Sequence, residues 1–401
     1  MCQSGRALTY KEKVTQFSDF AISASLLKRL TAANFITPTP VQSGAIPPAL
    51  EGRDVLATAQ TGTGKTLSFL IPIIDAMQKT PSKTATALIL LPTRELAMQV
   101  EKTFRDLVHG TMLTSAIVVG GMSEGSQLQA IRRGARLIVA TPGRLEDYLK
   151  RRLVRVDQIN ILVLDEVDRM LDMGFKPAIK RIAAALPAQR QTLCYSATLD
   201  PQIKEVVREY LKDPVRVELG SVLKPAANVR LQTFEVTTDK KLELLQHLLK
   251  SEKGSFLVFV RTKHAADRVS EKLIRAGVNA TCIHGDRSQG QRNAALKSFS
   301  QGHHRVLVAT DVAARGIDVA DVAHVVNYDM PKVAEDFVHR VGRTGRASAH
   351  GVASTFAAPE ERGDLRKIER TLKITMERFR VKPAFMGQPM TMPKSAALMA
   401  N

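Results

Sequence analysis

Apolar residues in this chain come in short unbroken blocks with amphipathic stretches between them. The first series is DVLATA (54–59), TALILLPT (86–93), RLIVATP (136–142), ILVLDE (161–166) and TLCYSAT (192–198). Blocks of this length without apolar–polar alternation predict strands covered on both faces, the condition of a parallel sheet between two layers of helices. The series returns as SFLVFVRT (255–262), RVLVATD (305–311), HVVNYD (324–329) and GVASTFAA (351–358). Leu88 and Leu257 are 169 residues apart, as are Val139 and Val308, while Leu164 and Tyr328 are 164 apart, so order and spacing both repeat. The pattern predicts an α/β chain of two doubly wound domains, each a mostly parallel sheet with helices on both faces. The domains run over 1–218 and 231–380. A flexible linker at 219–230, where GSVLKPAANVR gathers Gly, Pro and small residues, joins them, and a mobile tail fills 381–401. Between the blocks, RELAMQVEKTFRDLVH (94–109) places Leu96, Val100, Phe104, Leu107 and Val108 on one helical face, a core-packing pattern. After Pro359, residues 361–381 read as a basic amphipathic helix followed by an edge segment.

Length and composition agree with this picture and narrow the partner. A chain of 401 residues with 44% hydrophobic and 24% charged residues is globular and long enough for two or three cores. The net charge is +19, divided as +8 over residues 1–220 and +11 over 221–401, which fits a polyanion bound along the whole molecule better than a single basic tail. Tryptophan is absent and aromatics reach only 5%, so base stacking on aromatic platforms is a poor candidate for the main grip. A nucleic acid would be held by phosphates and sugars. Cys2, Cys194 and Cys282 are odd in number and lack one another at metal-binding spacing, so neither a disulfide framework nor a zinc site is expected, and a reducing cytoplasm fits. The N-terminus has no apolar signal region, and FLIPII (69–74) is too short to span a bilayer, so no membrane partner is expected.

Three strings carry candidate chemistry. In ATAQTGTGKTLSF (57–69) a strand runs into small residues and then a helix, the setting in which backbone N–H groups from Thr61, Gly62, Thr63, Gly64, Lys65 and Thr66 can cradle phosphate. Lys65 reaches the β/γ oxygens and the Thr66 hydroxyl ligates magnesium; the strict pattern has Gly where Ala59 stands. In LDEVDRM (164–170) a buried strand ends in carboxylates: Asp165 holds magnesium directly or through water, Glu166 deprotonates the attacking water, and Asp168 is positioned to bond Ser196 or Thr198 at the next strand's end. In HRVGRTGR (339–346) three arginines are spaced by glycines with no obvious neutralising group, making Arg343 and Arg346 candidate arginine fingers. Each string has a plainer reading as a solvated loop, but their order along the chain favours the chemical one.

Together these strings resemble the DEAD-box RNA helicases of superfamily 2, of the small bacterial RhlE-like type, from Phe17 to about Pro359. The resemblance implies two tandem RecA-like domains and an ATP-dependent RNA helicase needing ATP and Mg2+. Phe17 and NFITPTPVQ (34–42) match the upstream aromatic and the adenine-reading motif, with Phe17 and Phe35 at the adenine pocket and Gln42 reading the base. RNA contacts are implied for Pro92, Thr93 and Arg94, for Gly120 and Gly121, and for Thr141 and Arg144 in the first domain. In the second they fall on Arg261, Gln289, Arg292 and Thr310, with Asp318 approaching the ribose of ATP. Asp168, Ser196 and Thr198 match the residues that couple the nucleotide to the RNA. The family implies that ATP and single-stranded RNA bind cooperatively, that interdomain closure bends the strand, and that short duplexes lose base pairs locally, independent of sequence. Two departures stand out. Val167 replaces the name-giving Ala, and Asn34 replaces Gly at a position where Asn tolerates left-handed backbone. The rival classes are a DNA translocase and a nucleotide-binding RNA clamp without turnover; the clamp is disfavoured because Lys65, Glu166 and the arginines are all present.

Overall fold

A computed structural model describes residues 15–59, 63–199, 201–218, 228–314, 322–345 and 350–380. Thr61, Gly62, Asp318 and Arg346, most of the expected linker and the tail from 381 lie outside the described residues. In the first domain the strands are β1 (Val55–Thr58), β2 (Ala87–Leu90), β3 (Ser115–Val118), β4 (Leu137–Ala140), β5 (Ile161–Leu164), β6 (Gln191–Ser196) and β7 (Val215–Glu218). They pair in parallel in the order β3-β4-β2-β5-β6-β1-β7. In the second domain they are β8 (Val229–Glu235), β9 (Phe256–Val260), β10 (Ala280–Ile283), β11 (Val306–Thr310), β12 (His324–Asn327), β13 (Gly351–Ala357) and β14 (Glu377–Arg380). Their order, β10-β11-β9-β12-β13-β8-β14, is the first order repeated strand for strand, again all parallel. The repeat read from spacing is thus a repeat of topology.

Alternation along the central strands of the first sheet builds two cores, one on each face. In β1, β2 and β5 the residues Val55, Ala57, Ile89 and Val163 face one apolar cluster, while Leu56, Leu88, Leu90 and Leu162 face the other. Helix Arg94–Val108 covers the first face, and all five positions expected on its apolar side are buried. Phe69, from helix Lys65–Lys79, meets Tyr195 of β6 edge-on at 5.3 Å. In the second domain Phe234, Phe256, Val258, Val306 and Phe356 form the corresponding core, with Phe379 of β14 stacked on Phe234 at 5.1 Å. The basic amphipathic segment after Pro359 forms helix Arg362–Leu372 and the edge strand β14, as its pattern predicted.

The strands without an unbroken apolar block are mostly the outer ones. Edge strands β3 and β7 are buried on alternate residues at most, since one face looks outward, so they lack the block that marked the inner strands. β8 begins at Val229, within the stretch read as linker, and Asn228 just before it donates from its side-chain amide to the Gly345 carbonyl at 2.9 Å.

Candidate functional site

In open parallel α/β sheets ligands bind beyond the carboxyl ends of the strands, and within each domain many of the described residues singled out from sequence follow those ends. The edge of β1 continues through Ala59, whose N–H donates to the Ser196 carbonyl at 3.0 Å. Ala59 is buried, its methyl packed in the core as a continuation of the strand. Gly64 then takes φ +92° as the cap of helix Lys65–Lys79. A Cβ there would also lie 2.5 Å from Gln42 Nε2, so only glycine fits on both counts. Gln42 Nε2 donates to the Gly64 carbonyl at 2.9 Å, and Gln42 Oε1 accepts from the Thr39 N–H at 2.8 Å. Gln42 therefore clamps its own helix, Pro40–Leu50, to Gly64.

The charged groups stand next to that loop. Lys65 is 6% exposed, and its Nζ lies 3.8 Å from Oδ1 of Asp165, at the end of β5. Burial pushes the Asp165 carboxyl up to about 6 despite the neighbouring Lys65 ammonium. Glu166 takes φ +52°, a left-handed conformation that a glutamate adopts only at a cost, and its N–H returns to Asp165 Oδ1 at 2.9 Å. Its carboxylate is bonded by the buried Arg169 guanidinium, a partner that the motif itself does not single out. Val167, the departure from the family's Ala, is fully buried among apolar neighbours. Asp168 accepts from the Ala197 N–H at 2.9 Å. The expected bond to Ser196 or Thr198 thus falls on the residue between them, whose N–H a carboxylate reaches without fixing a hydroxyl rotor. Ser196 Oγ instead accepts from the Thr198 N–H at 3.3 Å. Thr63 and Thr66 are half-buried at the start of the same helix.

Two aromatics differ in exposure. Phe17 is buried against Phe20 and the domain core, while Phe35 remains 36% exposed. Asn34 takes φ +62° and ends helix Ala24–Ala32, so it keeps the loop conformation expected of glycine.

The motifs matched to RNA contact lie at other strand ends of the same domain. Pro92 is buried and Thr93 caps helix Arg94–Val108, accepting from Leu96 N–H. Arg94 Nη1 donates to the Gly120 carbonyl at 2.9 Å and lies where a Cβ on Gly121 would sit, and Gly121 itself has φ +75°. Thr141 begins helix Pro142–Lys150. Arg144 is held by Glu124 and Asp147, each at 3.4 Å, and stacks over Tyr148 at 4.6 Å.

In the second domain Arg261 is exposed, with its N–H bonded to Asp329 at 2.7 Å, and Thr310 is buried at the end of β11. Gln289 and Arg292 open helix Gln289–Ser300. The expectation that nothing neutralises the arginine loop is corrected for its first member. Arg340 bonds both oxygens of Asp311, at 2.6 and 2.8 Å, and also Asn327 Oδ1 and the Asp329 carbonyl. The fold, not the motif, supplies that partner from 29 positions away. Arg343 follows and is 4% exposed.

The family model for DEAD/DEAH box helicases matches residues 39–206, and that for the helicase conserved C-terminal domain matches 240–348. The chain is 40% identical over 365 residues to the DEAD-box ATP-dependent RNA helicase CshA of Bacillus subtilis, covering 91% of this chain and 74% of that one. The chain belongs to the DEAD-box RNA helicase family. A second DEAD-box relative, DEAD-box ATP-dependent RNA helicase 40 of rice (Oryza sativa subsp. japonica), is 43% identical over 355 residues, and this chain spans 45% of its length. Among solved structures, S. cerevisiae Dbp5 bound to RNA and ADP BeF3 aligns with TM-score 0.83 at 30% identity, over 91% of this chain and 96% of that one. This DEAD-box chain thus has tandem RecA-like domains. No helix among its described residues is long and apolar enough to cross a membrane.

Proposed function

We propose that this protein is an RNA-stimulated, magnesium-dependent ATPase that holds single-stranded RNA by its backbone, without regard to sequence, and locally separates short duplexes. The observation that carries the reading is the buried set of Lys65, Asp165 and Glu166 beside the left-handed Gly64. Charged groups out of water at strand ends are costly; Glu166 is offset by Arg169, while Lys65 and Asp165 stand 3.8 Å apart, beyond ordinary hydrogen-bond length, where a ligand can engage both. Mg-ATP fits these residues: a glycine-bounded cradle and an ammonium face the polyphosphate, and a hydroxyl and a carboxylate are the hard oxygen donors that magnesium takes. Thr66 and Asp165 would hold the ion, directly or through water. When bound, magnesium supplies positive charge against the β/γ-phosphate oxygens.

The remaining work falls to the chain. Backbone N–H groups from Thr61 to Thr66 bind phosphate, and Lys65 binds the β/γ oxygens. Phe17, Phe35 and Gln42 receive the adenine, and Asp318 approaches the ribose. Glu166 takes a proton from the attacking water on its carboxylate, which Arg169 holds in one orientation. Arg343 and Arg346 meet the charge that builds on the γ-phosphate. Asp168, through the peptide between Ser196 and Thr198, transmits the state of this site toward the RNA motifs. Pro92, Thr93, Arg94, Gly120, Gly121, Thr141, Arg144, Arg261, Gln289, Arg292 and Thr310 bind phosphates and sugars, and the 2′-OH gives them a means of choosing RNA over DNA. Cys194 and Cys282 are buried thiols outside any disulfide, in keeping with the reducing cytoplasm proposed as its location.

The test compares Lys65→Ala with Glu166→Gln. Both lose ATP turnover, but Glu166→Gln still binds ATP and holds RNA. Wild-type hydrolysis by Glu166→Gln would remove Glu166 from the mechanism.

A further inference from the structure

The second domain places a thiol, an imidazole and a carboxylate together at a position that neither the ATP nor the RNA reading uses. Cys282 lies in β10, and His284 follows the strand's last residue, Ile283. Two residues apart on an extended backbone, they project to the same side. Helix Lys263–Arg275 packs there, burying Ala266, Val269 and Leu273 in the same core as Cys282, and its next residue in line, Asp267, reaches the pair. Asp267 Oδ1 is 3.4 Å from Cys282 Sγ and 3.1 Å from His284 Nε2, and the three ligand atoms all fall within 4.8 Å of one another. Among the described residues no other group of three His, Cys, Asp or Glu side chains converges in this way.

We propose that Asp267, Cys282 and His284 form a binding site for a borderline-soft divalent transition metal, with zinc the best fit. In a tetrahedral zinc centre with Zn–S near 2.3 Å and Zn–N and Zn–O near 2.0 Å, neighbouring ligand atoms stand roughly 3.3–3.6 Å apart. The two separations from Asp267 differ from that by a few tenths of an ångström, and Cys282 Sγ and His284 Nε2, within 4.8 Å of each other, close onto an ion by turning toward it. Three protein ligands leave the fourth position for water, and the side chain of Asp267, 35% exposed, opens a path from solvent while Cys282 and His284 stay buried. Binding replaces the two hydrogen bonds onto Asp267 with three metal bonds: the thiol gives its proton to solvent, and the imidazole moves its proton from Nε2 to Nδ1 so that Nε2 presents a lone pair. The donor set rejects magnesium, which takes octahedral oxygen ligands, so the site stays selective in the presence of Mg-ATP. Cysteine spacing gave no sign of it, because the third ligand comes from a helix packed over the strand.

The test titrates the reduced full-length protein with Co2+ in excess Mg2+, then displaces the cobalt with Zn2+. One cobalt ion per chain with a thiolate-to-cobalt charge-transfer band in the near ultraviolet is expected. The band should vanish in Cys282→Ser and persist in the Cys2→Ser/Cys194→Ser double variant. Asp267→Asn, on a partly exposed helix position that tolerates the change, should keep the wild-type circular dichroism spectrum yet weaken zinc by about tenfold or more, as should His284→Gln. Absence of the band in wild type, its survival in Cys282→Ser, or unchanged zinc affinity in Asp267→Asn would overturn the site.

Discussion

Gly64 and Glu166 both hold left-handed backbone within the candidate nucleotide site, for different reasons. Gly64 has no room for a side chain beside Gln42, whereas Glu166 accepts the strain so that its carboxylate meets Arg169 and its N–H meets Asp165. Gly64→Ala should therefore break the Gln42 clamp, cost about 1–2 kcal/mol of stability through forced positive φ, and abolish ATP binding. Chemical denaturation and nucleotide titration check it, and a stable variant with normal ATP affinity would show that the clamp is dispensable. Lys65, Asp165, Glu166 and the Asn34 turn were legible in the sequence, because phosphate chemistry and left-handed backbone restrict residue type at fixed local spacing. Arg169 and Arg340 were not, since a buried arginine announces itself only through a partner, and the Asp311 partner of Arg340 is brought close by the packing of separate strands.

At the level of elements, Arg340 ties three strand ends of the second domain together. Its guanidinium reaches Asp311 after β11 and both Asn327 and the Asp329 carbonyl at and after the end of β12, and it lies over the Phe259 ring of β9 at 5.2 Å. Removing Arg340 leaves the partly buried Asp311 carboxylate and the Asn327 and Asp329 acceptors without their donor, so Arg340→Ala should lose roughly 1–3 kcal/mol of stability. Urea denaturation reads this directly, and a loss under about 1 kcal/mol would mean that the network is not a structural brace. His324, in β12, gives the same domain a pH dependence. Burial, partly offset by the Lys253 carbonyl and Glu252, depresses its pKa below the usual imidazole value. A depressed imidazole contributes stability above its unfolded pKa of about 6.5, and that stability is lost as pH falls below it. His324→Phe keeps the stacking on Phe256, now at 4.3 Å, and should flatten the fall in stability between roughly pH 7 and 5. An unchanged slope would assign the acid sensitivity elsewhere. Inner strands were readable because both faces are covered; β3, β7 and β10 were not, since edge position removes the unbroken apolar block, and β8 alternates although it is inside its sheet.

Over the whole molecule, one topology used twice carries phosphate chemistry in its first copy and an arginine loop in its second, within a chain of net charge +19. The proposed function divides its arginines into two roles. Arg343→Ala should cut RNA-stimulated hydrolysis by ~10³-fold or more while leaving nucleotide-free RNA affinity almost unchanged. Arg144→Ala should weaken RNA alike across sequences and lower the salt slope by roughly 0.7 for each single-strand phosphate no longer held. Indistinguishable effects from the two would instead mark a general positive surface. The central claim is that the buried Lys65–Asp165–Glu166 site hydrolyses ATP in response to RNA backbone, and the most direct measurement is ATPase rate with no nucleic acid, with single-stranded RNA, and with DNA of the same sequence. The expected result is strong stimulation by RNA, little by DNA, and none of either in Glu166→Gln. Equal stimulation by DNA, or a rate indifferent to RNA, would contradict it.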